Sequence, residues 1–360
     1  MMVDVALVEV EDLRGFVFNV FKGLSVPKGD ATICADVLIA ADLKGIDSHG
    51  VNRLKPIYYD RVKAGLQNPV TKIEVIREGP TTAVLDGHNG MGMVIAKKSM
   101  EKCIEKAKEM GIGMVVVRNS THYGIAGYYA EMAVEEGLIG VTGTNARPSV
   151  APTFSVENML GTNPLTFAFP TDEAFPFCLD CATSIIQRGK VEVYAREGKM
   201  LPEGLVIGAD GEYITEPDQV LVSLQGGDAA LLPLGGAGEE TGGYKGYGYS
   251  TVVEILSASL QSGNYLKALT GVNLGHFFIA IDVKAFTDLE EFKRTTGNIL
   301  RSLRGAKKTP GAKRIYTAGE KEYYSSIHRC EKGIPVNRSV QLELIQMRDE
   351  LKLPHRFSFE

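Results

Sequence analysis

Hydrophobic spacing is helical at both ends of the chain and mixed between them, and this ordering constrains the fold more than any single motif. Near the N-terminus Leu13, Phe16, Val17, Val20, Phe21 and Leu24 recur at helical spacing. Ala31, Cys34, Val37, Leu38 and Ala41 repeat the pattern, with Asp30 as the expected N-cap. Pro56 is expected to break the helical path after these two helices. From about residue 80 the pattern changes. Strands are predicted at 81–86, 114–117, 138–142, 165–169, 177–179 and 277–281, and helices at 96–110, 128–136 (closed by Gly137), 251–260 and 289–303. A last helix is predicted over 339–353, with Ser339 as its N-cap. The pattern implies an α/β (α+β) fold. Residues 1–75 and 305–360 are expected to form one discontinuous helical domain around a mixed-sheet domain at 76–304, the tail returning to pack on the first helices.

A chain of 360 residues can bury a sizeable core without a metal or disulfide staple. The formal net charge of −5 argues against nucleic acid as the main partner. Five cysteines, an odd number without secretory context, point to a reducing compartment, and a cytoplasmic location is expected. The first ten residues carry Asp4 and Glu9 and no basic region leading into an apolar stretch, so they do not read as a signal peptide. No apolar run reaches the roughly 18 residues that a membrane span needs. Cys178 and Cys181 form a C-x-x-C pair without a second ligand pair at zinc spacing, and no metal is expected.

Four polar constellations are candidates for chemistry. In Asp47-Ser48-His49-Gly50 with Arg53, a resumed helix would set His49 and Arg53 on one face. A guanidinium binds a carboxylate bidentately, and an imidazolium gives a proton to a carbonyl oxygen under reduction. A capped helix end with a solvated arginine accounts for the same residues. Asn119 to Gly124, with His122 and Tyr123, follows an apolar strand and precedes a helix, a place suited to an anion or cofactor, or to a simple turn. Gly161-Thr162-Asn163-Pro164 and Asp180-Cys181-Ala182-Thr183-Ser184 stand at strand ends and either line a pocket or make turns. The stretch from Gly235 to Gly248 carries Lys245 and Gly246 among tyrosines, as a ligand-approaching or close-packed loop. No G-x-G-x-x-G occurs: three residues beyond the Gly pairs 90/92, 111/113, 236/238 and 246/248 stand Ile95, Val116, Thr241 and Thr251. Any nicotinamide site therefore lacks the standard Rossmann phosphate turn.

In their joint order and spacing these segments, together with Gly333-Ile334-Pro335, resemble the malate/L-lactate dehydrogenase family that lacks a Rossmann fold. Glu239-Glu240-Thr241 is most similar to its archaeal malate dehydrogenases. The resemblance implies a non-Rossmann nicotinamide-binding fold, a homodimer, and a site in the cleft between two domains. It implies His49 as proton donor, supported by Ser48, with His122 the competing donor, and it implies Arg53 on the substrate carboxylate, with Thr162 and Asn163 near the substrate. By the same resemblance His122, Tyr123, Gly124, Asp180, Cys181, Ala182, Lys245, Gly246, Gly319 and Glu320 contact NAD or NADP. Ala318 stands where the family usually has proline. The activity expected is hydride transfer between NAD(P) and a small 2-hydroxy/2-keto acid, with malate/oxaloacetate leading. Reduction of another 2-keto acid, a diketo sugar acid or a cyclic imine is the alternative within the family (substrates of the lactate, sulfolactate, ureidoglycolate or 2,3-diketogulonate type). A cofactor-free lyase built on His49 and Arg53, or a binder without turnover, is the alternative outside it.

Overall fold

The computed structural model describes residues 4–269 and 272–360. The first three residues, part of the stretch that does not read as a signal peptide, lie outside them. β1 (Val5–Val8) leads into α1 (Val10–Gly23) and α2 (Lys28–Leu43). α1 buries Leu13, Phe16, Val17, Val20 and Phe21 along one face, as its spacing dictates. α2 starts two residues before Asp30, at a boundary held by Pro27, and Asp30 falls in the first turn, where a carboxylate favours the helix dipole. Pro56 does not end the helical path. It is absorbed in a π turn, Leu54–Tyr59, which runs directly into α3 (Asp60–Lys63).

Then come β2 (Glu74–Glu78), β3 (Thr82–Asp86), α4 (Gly92–Met110), β4 (Ile112–Ser120), α5 (Gly127–Glu135), β5 (Leu138–Thr144), β6 (Leu165–Phe169) and β7 (Phe177–Cys181). Next are α6 (Arg188–Glu197), β8 (Val206–Gly208), α7 (Pro217–Gly226), β9 (Ala229–Leu231), α8 (Gly243–Ala258), β10 (Leu274–Asp282) and α9 (Leu289–Arg304). The chain closes with α10 (Glu320–Lys332), β11 (Ile334–Asn337) and α11 (Arg338–Leu351).

The main sheet has seven strands in the order β2-β3-β4-β10-β5-β6-β7. Only β3 and β4 run parallel, joined by α4 as the crossover that parallel neighbours require. Every other pair is antiparallel. A sheet with one parallel pair is not a doubly wound dinucleotide fold, in keeping with the missing glycine fingerprint. β1 pairs with β11, Val5 facing Asn337, so the two ends of the chain meet. One apolar cluster runs from Leu13 and Phe21 through Val115 and Phe278 to Met347 and Phe357, so terminal helices and sheet share a core. A second cluster packs Val150 and Leu160 of the β5–β6 connection against Val191, Val220 and Leu231 of the segment between β7 and α8. That small lobe, with α6, α7, β8 and β9, is not apparent from the sequence.

α8 begins at Gly243, eight residues earlier than its apolar spacing suggests, so Lys245 and Gly246 are helical and not in a loop. A Cβ at Gly246 would overlap the carbonyl of Leu234, and one at Gly243 that of Gly236. The glycines are therefore close-packing residues of a helix start. α11 is capped by Asn337, whose Oδ1 accepts the Val340 N–H at 3.0 Å, and Ser339 donates its hydroxyl to that same oxygen. Among the described residues no helix is long and apolar enough to cross a membrane.

Candidate active site

α2 ends at Leu43, and the chain turns through Gly45, at φ 77°, into the segment carrying Ser48 and His49. Buried Asp42 anchors this segment by accepting the Val51 N–H at 2.9 Å. A Cβ at Gly50 would overlap the Asp42 carboxyl, so the approach requires glycine. Burial pushes the Asp42 carboxyl up to about 8. Helix resumes only at Val51, as a short 3-10 turn over Val51–Arg53, so His49 and Arg53 do not share an α-helical face. Arg53 comes beside His49 by folding back, its Nε donating to the Ser48 carbonyl at 2.6 Å. His49 Nδ1 lies 2.9 Å from Ser48 Oγ. Burial, and then the Arg53 charge, lower the His49 imidazole to about 4.

His122, expected beside a cofactor, lies in the same cleft as His49. The two rings are 5.8 Å apart between centroids and near parallel. His122 Nδ1 accepts the Gly124 backbone N–H at 3.2 Å and lies 2.7 Å from Tyr58 Oη. A backbone N–H only donates, so the His122 proton sits on Nε2. Forming an imidazolium there would set two donors against each other. His49 is free of that conflict, because a serine hydroxyl accepts as readily as it donates. Burial, and then the charge on His49, hold the His122 imidazole well below its usual range.

The cleft has a volume of about 240 Å³. His49, Arg53, Ile57 and Arg61 line one side, and His122, Arg147, Thr162, Arg188 and Gly189 the other. Among the described residues, four arginines and two histidines line this space and no carboxylate does. Burial, and then the Arg147 charge, hold the Arg61 guanidinium below its usual range, which marks a crowded cationic end. Arg188 has a competing partner in Glu192, at 3.3 Å. Arg61, Arg147, Arg188 and Tyr58 escaped the sequence reading. Arg61 follows Arg53 by two helical turns, a signal that was available. Arg147 stands in the β5–β6 connection and Arg188 at the start of α6, and nothing local marks them.

The cleft opens at Gln187 and Gly189 into a groove of about 640 Å³ lined by Ser48, Asp180, Cys181, Ala182, Ser184 and Leu234. A smaller cavity, sharing Ile46 and Asp180 with the groove, continues past Lys44 to Ala318 and Gly319. Asp180 also braces the fold, accepting the Gly127 N–H at 2.7 Å and the Thr166 hydroxyl at 2.9 Å.

Several other residues expected at the site are placed away from the lining of the cleft and the groove. Tyr123 is buried, stacked 4.4 Å from His276 and 5.1 Å from Tyr129, so its ring belongs to the core. Gly124, at φ 81°, packs on Val37 of α2. Asn163 is buried, donating to Ser250 O and Glu254 Oε2 and accepting the Ala146 N–H. Glu320 is buried, ion-paired to Arg314 and accepting the Thr317 N–H at 3.1 Å. Gly246 packs on Leu234, and Lys245 is exposed on the first turn of α8. Among the described residues no three His, Cys, Asp or Glu groups come together as metal ligands.

Two buried histidines beside clustered arginines, on a mixed sheet without a Rossmann turn, make a site suited to an organic acid, and comparison with known proteins gives the class. Residues 8–345 match the family model described as malate/L-lactate dehydrogenase. The chain is 48% identical to the malate dehydrogenase of Pyrococcus horikoshii over 337 residues, 92% of each chain. It is 37% identical to the L-sulfolactate dehydrogenase of Methanocaldococcus jannaschii, covering 96% of this chain and 98% of that one. Its fold superposes on the crystal structure of malate dehydrogenase from Entamoeba histolytica with a TM-score of 0.95 at 45% identity, covering 97% of this chain and 99% of that one. The chain belongs to the malate/L-lactate dehydrogenase family. It is an oxidoreductase of small hydroxy and keto acids, and its family implies a nicotinamide cofactor.

Proposed function

We propose that the protein interconverts malate and oxaloacetate, with NAD or NADP as the hydride partner. The observation that carries this reading is the cleft lined, among the described residues, by four arginines, two histidines and no carboxylate. One guanidinium, Arg53, suffices for the carboxylate next to the reacting carbon. Arg61 and Arg147 then suit a second anionic group at the far end, with Thr162 beside it. A monocarboxylate such as lactate leaves that charge unanswered. A sulfonate in place of the second carboxylate satisfies it equally, so sulfolactate is the second reading.

The groove fits a dinucleotide. At about 640 Å³ it shares Gln187 and Gly189 with the cleft, its wall is apolar at Ile46, Ile186 and Leu234, and small residues Gly45, Ala182 and Ser184 line it. Asp180, Cys181 and Ala182, with Gly319 further along, would hold the cofactor, which when bound supplies the hydride. His49 holds the exchangeable proton at Nε2, since Nδ1 is engaged by Ser48 Oγ. Arg53 orients the acid so that the keto oxygen meets that nitrogen. As negative charge grows on the oxygen, His49 gives up its proton, and in the reverse direction the neutral ring takes it back. Neutral His122 donates from Nε2 and orients the substrate without changing its own charge. The division into 1–75 with 305–360 and 76–304 puts the cleft where the two parts meet.

The protein acts as a homodimer in this reading. α8 turns Tyr244, Tyr247, Val252 and Ile255 to solvent, an apolar face that a second copy would cover. All five cysteines are free thiols, which suits the reducing cytoplasm. The test is a panel of oxaloacetate, sulfopyruvate and pyruvate assayed with NADH and with NADPH. Turnover of oxaloacetate with either cofactor is expected. Turnover of none of the three, or conversion without a cofactor, overturns the reading.

A further inference from the structure

Arg147 and Thr162 reach the cleft from the two ends of the β5–β6 connection, one just after β5 and one just before β6. The geometry points to Glu254, on α8, as the positioning residue that locks these two ends together and so sets how tightly the far anionic group of the acid is held. This inference rests on the reading of the cleft as an acid-binding site.

Glu254 is 6% exposed. Its Oε1 accepts the Asn145 amide at 3.3 Å and the Leu266 backbone N–H at 2.9 Å, and its Oε2 accepts the Asn163 amide at 2.8 Å. None of these partners is a cation. The amides pass the constraint on. Asn163 Oδ1 accepts the backbone N–H of Ala146 at 3.1 Å, and Asn145 Oδ1 accepts that of Gly275 at 2.9 Å. One carboxylate thus ties residues 145–146, 163, 266 and 275 into a single unit. Cleft-lining Arg147, Thr162 and Leu274 are the immediate chain neighbours of its members. None of these bonds touches His49 or Arg53.

A desolvated carboxylate is costly unless its oxygens are answered by donors. Here donors face both oxygens, so the site requires an acceptor at each end. A glutamine has the same size and only one acceptor end. Whichever way its amide turns, an N–H group meets Asn163 or the Asn145–Leu266 pair, and a bond is lost. The two ends of the connection then shift relative to each other while the His49 side of the cleft stays in place.

The experiment is steady-state kinetics with oxaloacetate and reduced cofactor for Glu254→Gln, Arg147→Ala and the double variant, with thermal melts of each. Arg147→Ala should raise the KM for oxaloacetate. Glu254→Gln should raise it about tenfold, as expected from a misplaced charge-assisted contact, with kcat and the cofactor KM within about twofold of the parent. In the Arg147→Ala background Glu254→Gln should add little, because the guanidinium that the β5–β6 connection carries is already gone. An unchanged KM in Glu254→Gln, an equal rise in both backgrounds, or a parallel rise for cofactor and acid overturns the inference. No effect of Arg147→Ala defeats the reading of the cleft itself. If Glu254→Gln does not fold, Asn145→Ala, which keeps the carboxylate and loses one partner, should show the same split at smaller size. An unchanged KM there overturns the inference too.

Discussion

At the scale of single residues the site turns on what each histidine can do with a proton. The Gly124 N–H holds His122 in one tautomer, whereas Ser48 lets His49 exist with or without its second proton. His49→Ala should therefore lower kcat by roughly 10²–10⁴-fold, the usual worth of general acid catalysis, while cofactor affinity holds. The same loss in His122→Ala with His49→Ala nearly silent would reverse the assignment. The lowered pKa of His49, about 4, has a kinetic consequence. Oxidation of the hydroxy acid needs the neutral ring, so kcat/KM in that direction should stay level as pH falls from neutrality until it nears about 4 to 5. A decline centred at 6.5 or above contradicts this. Arg53→Ala should raise the KM for the keto acid about 10- to 150-fold, from roughly 1.5–3 kcal/mol for a charge-assisted pair, and leave the cofactor KM alone.

At the scale of elements, the link between α2 and the 3-10 turn aims Ser48, His49 and Arg53. Gly50→Ala drives a methyl group into the Asp42 carboxyl. It should cost about 1–3 kcal/mol of stability and lower kcat together with the melting temperature. A variant as active and as stable as the parent would show that the Asp42 anchor is dispensable. This element also shows what was legible in the sequence. Ser48, His49 and Arg53 lie within six residues, so their shared chemistry is local and readable, although the backbone path joining them is not helical. Arg147 and Arg188 are joined to the cleft only by tertiary structure, and no local pattern marks them. The reverse holds for Tyr123, Asn163 and Glu320. They stand in the telling motifs, yet their side chains are buried, with Tyr123 stacked in the core and Asn163 and Glu320 bonded within the fold. A motif preserves the geometry of a site as well as its chemistry, and sequence does not separate the two. The early start of α8 was hidden because glycine reads as a helix breaker, whereas packing against Leu234 and Gly236 demands it there.

At the scale of the molecule, burial of neutral histidines governs stability against pH. His49 is lowered to about 4 and His276 to about 3 by desolvation, and His122 is lowered well below 6.5. The unfolded chain binds these protons near 6.5 and the native chain does not, so stability present above 6.5 is lost as pH falls toward 4. Asp42, raised to about 8, and Asp180, also raised, act with the opposite sign. Their contribution is full below the ordinary aspartate value of 3.8 and, for Asp42, gone once pH passes about 8. Three histidines outweigh two aspartates on the acid side, so denaturant titrations should show stability greatest near pH 6.5 and falling on both sides. A profile still rising at pH 8 would contradict this. The central claim is that the cleft reduces a keto acid bearing two anionic groups, and its most direct measurement is kcat/KM for oxaloacetate against pyruvate with the same reduced cofactor. A second charge-assisted pair worth roughly 1.5–3 kcal/mol should favour oxaloacetate by about 10- to 150-fold. Equal values, or a preference for pyruvate, would contradict it.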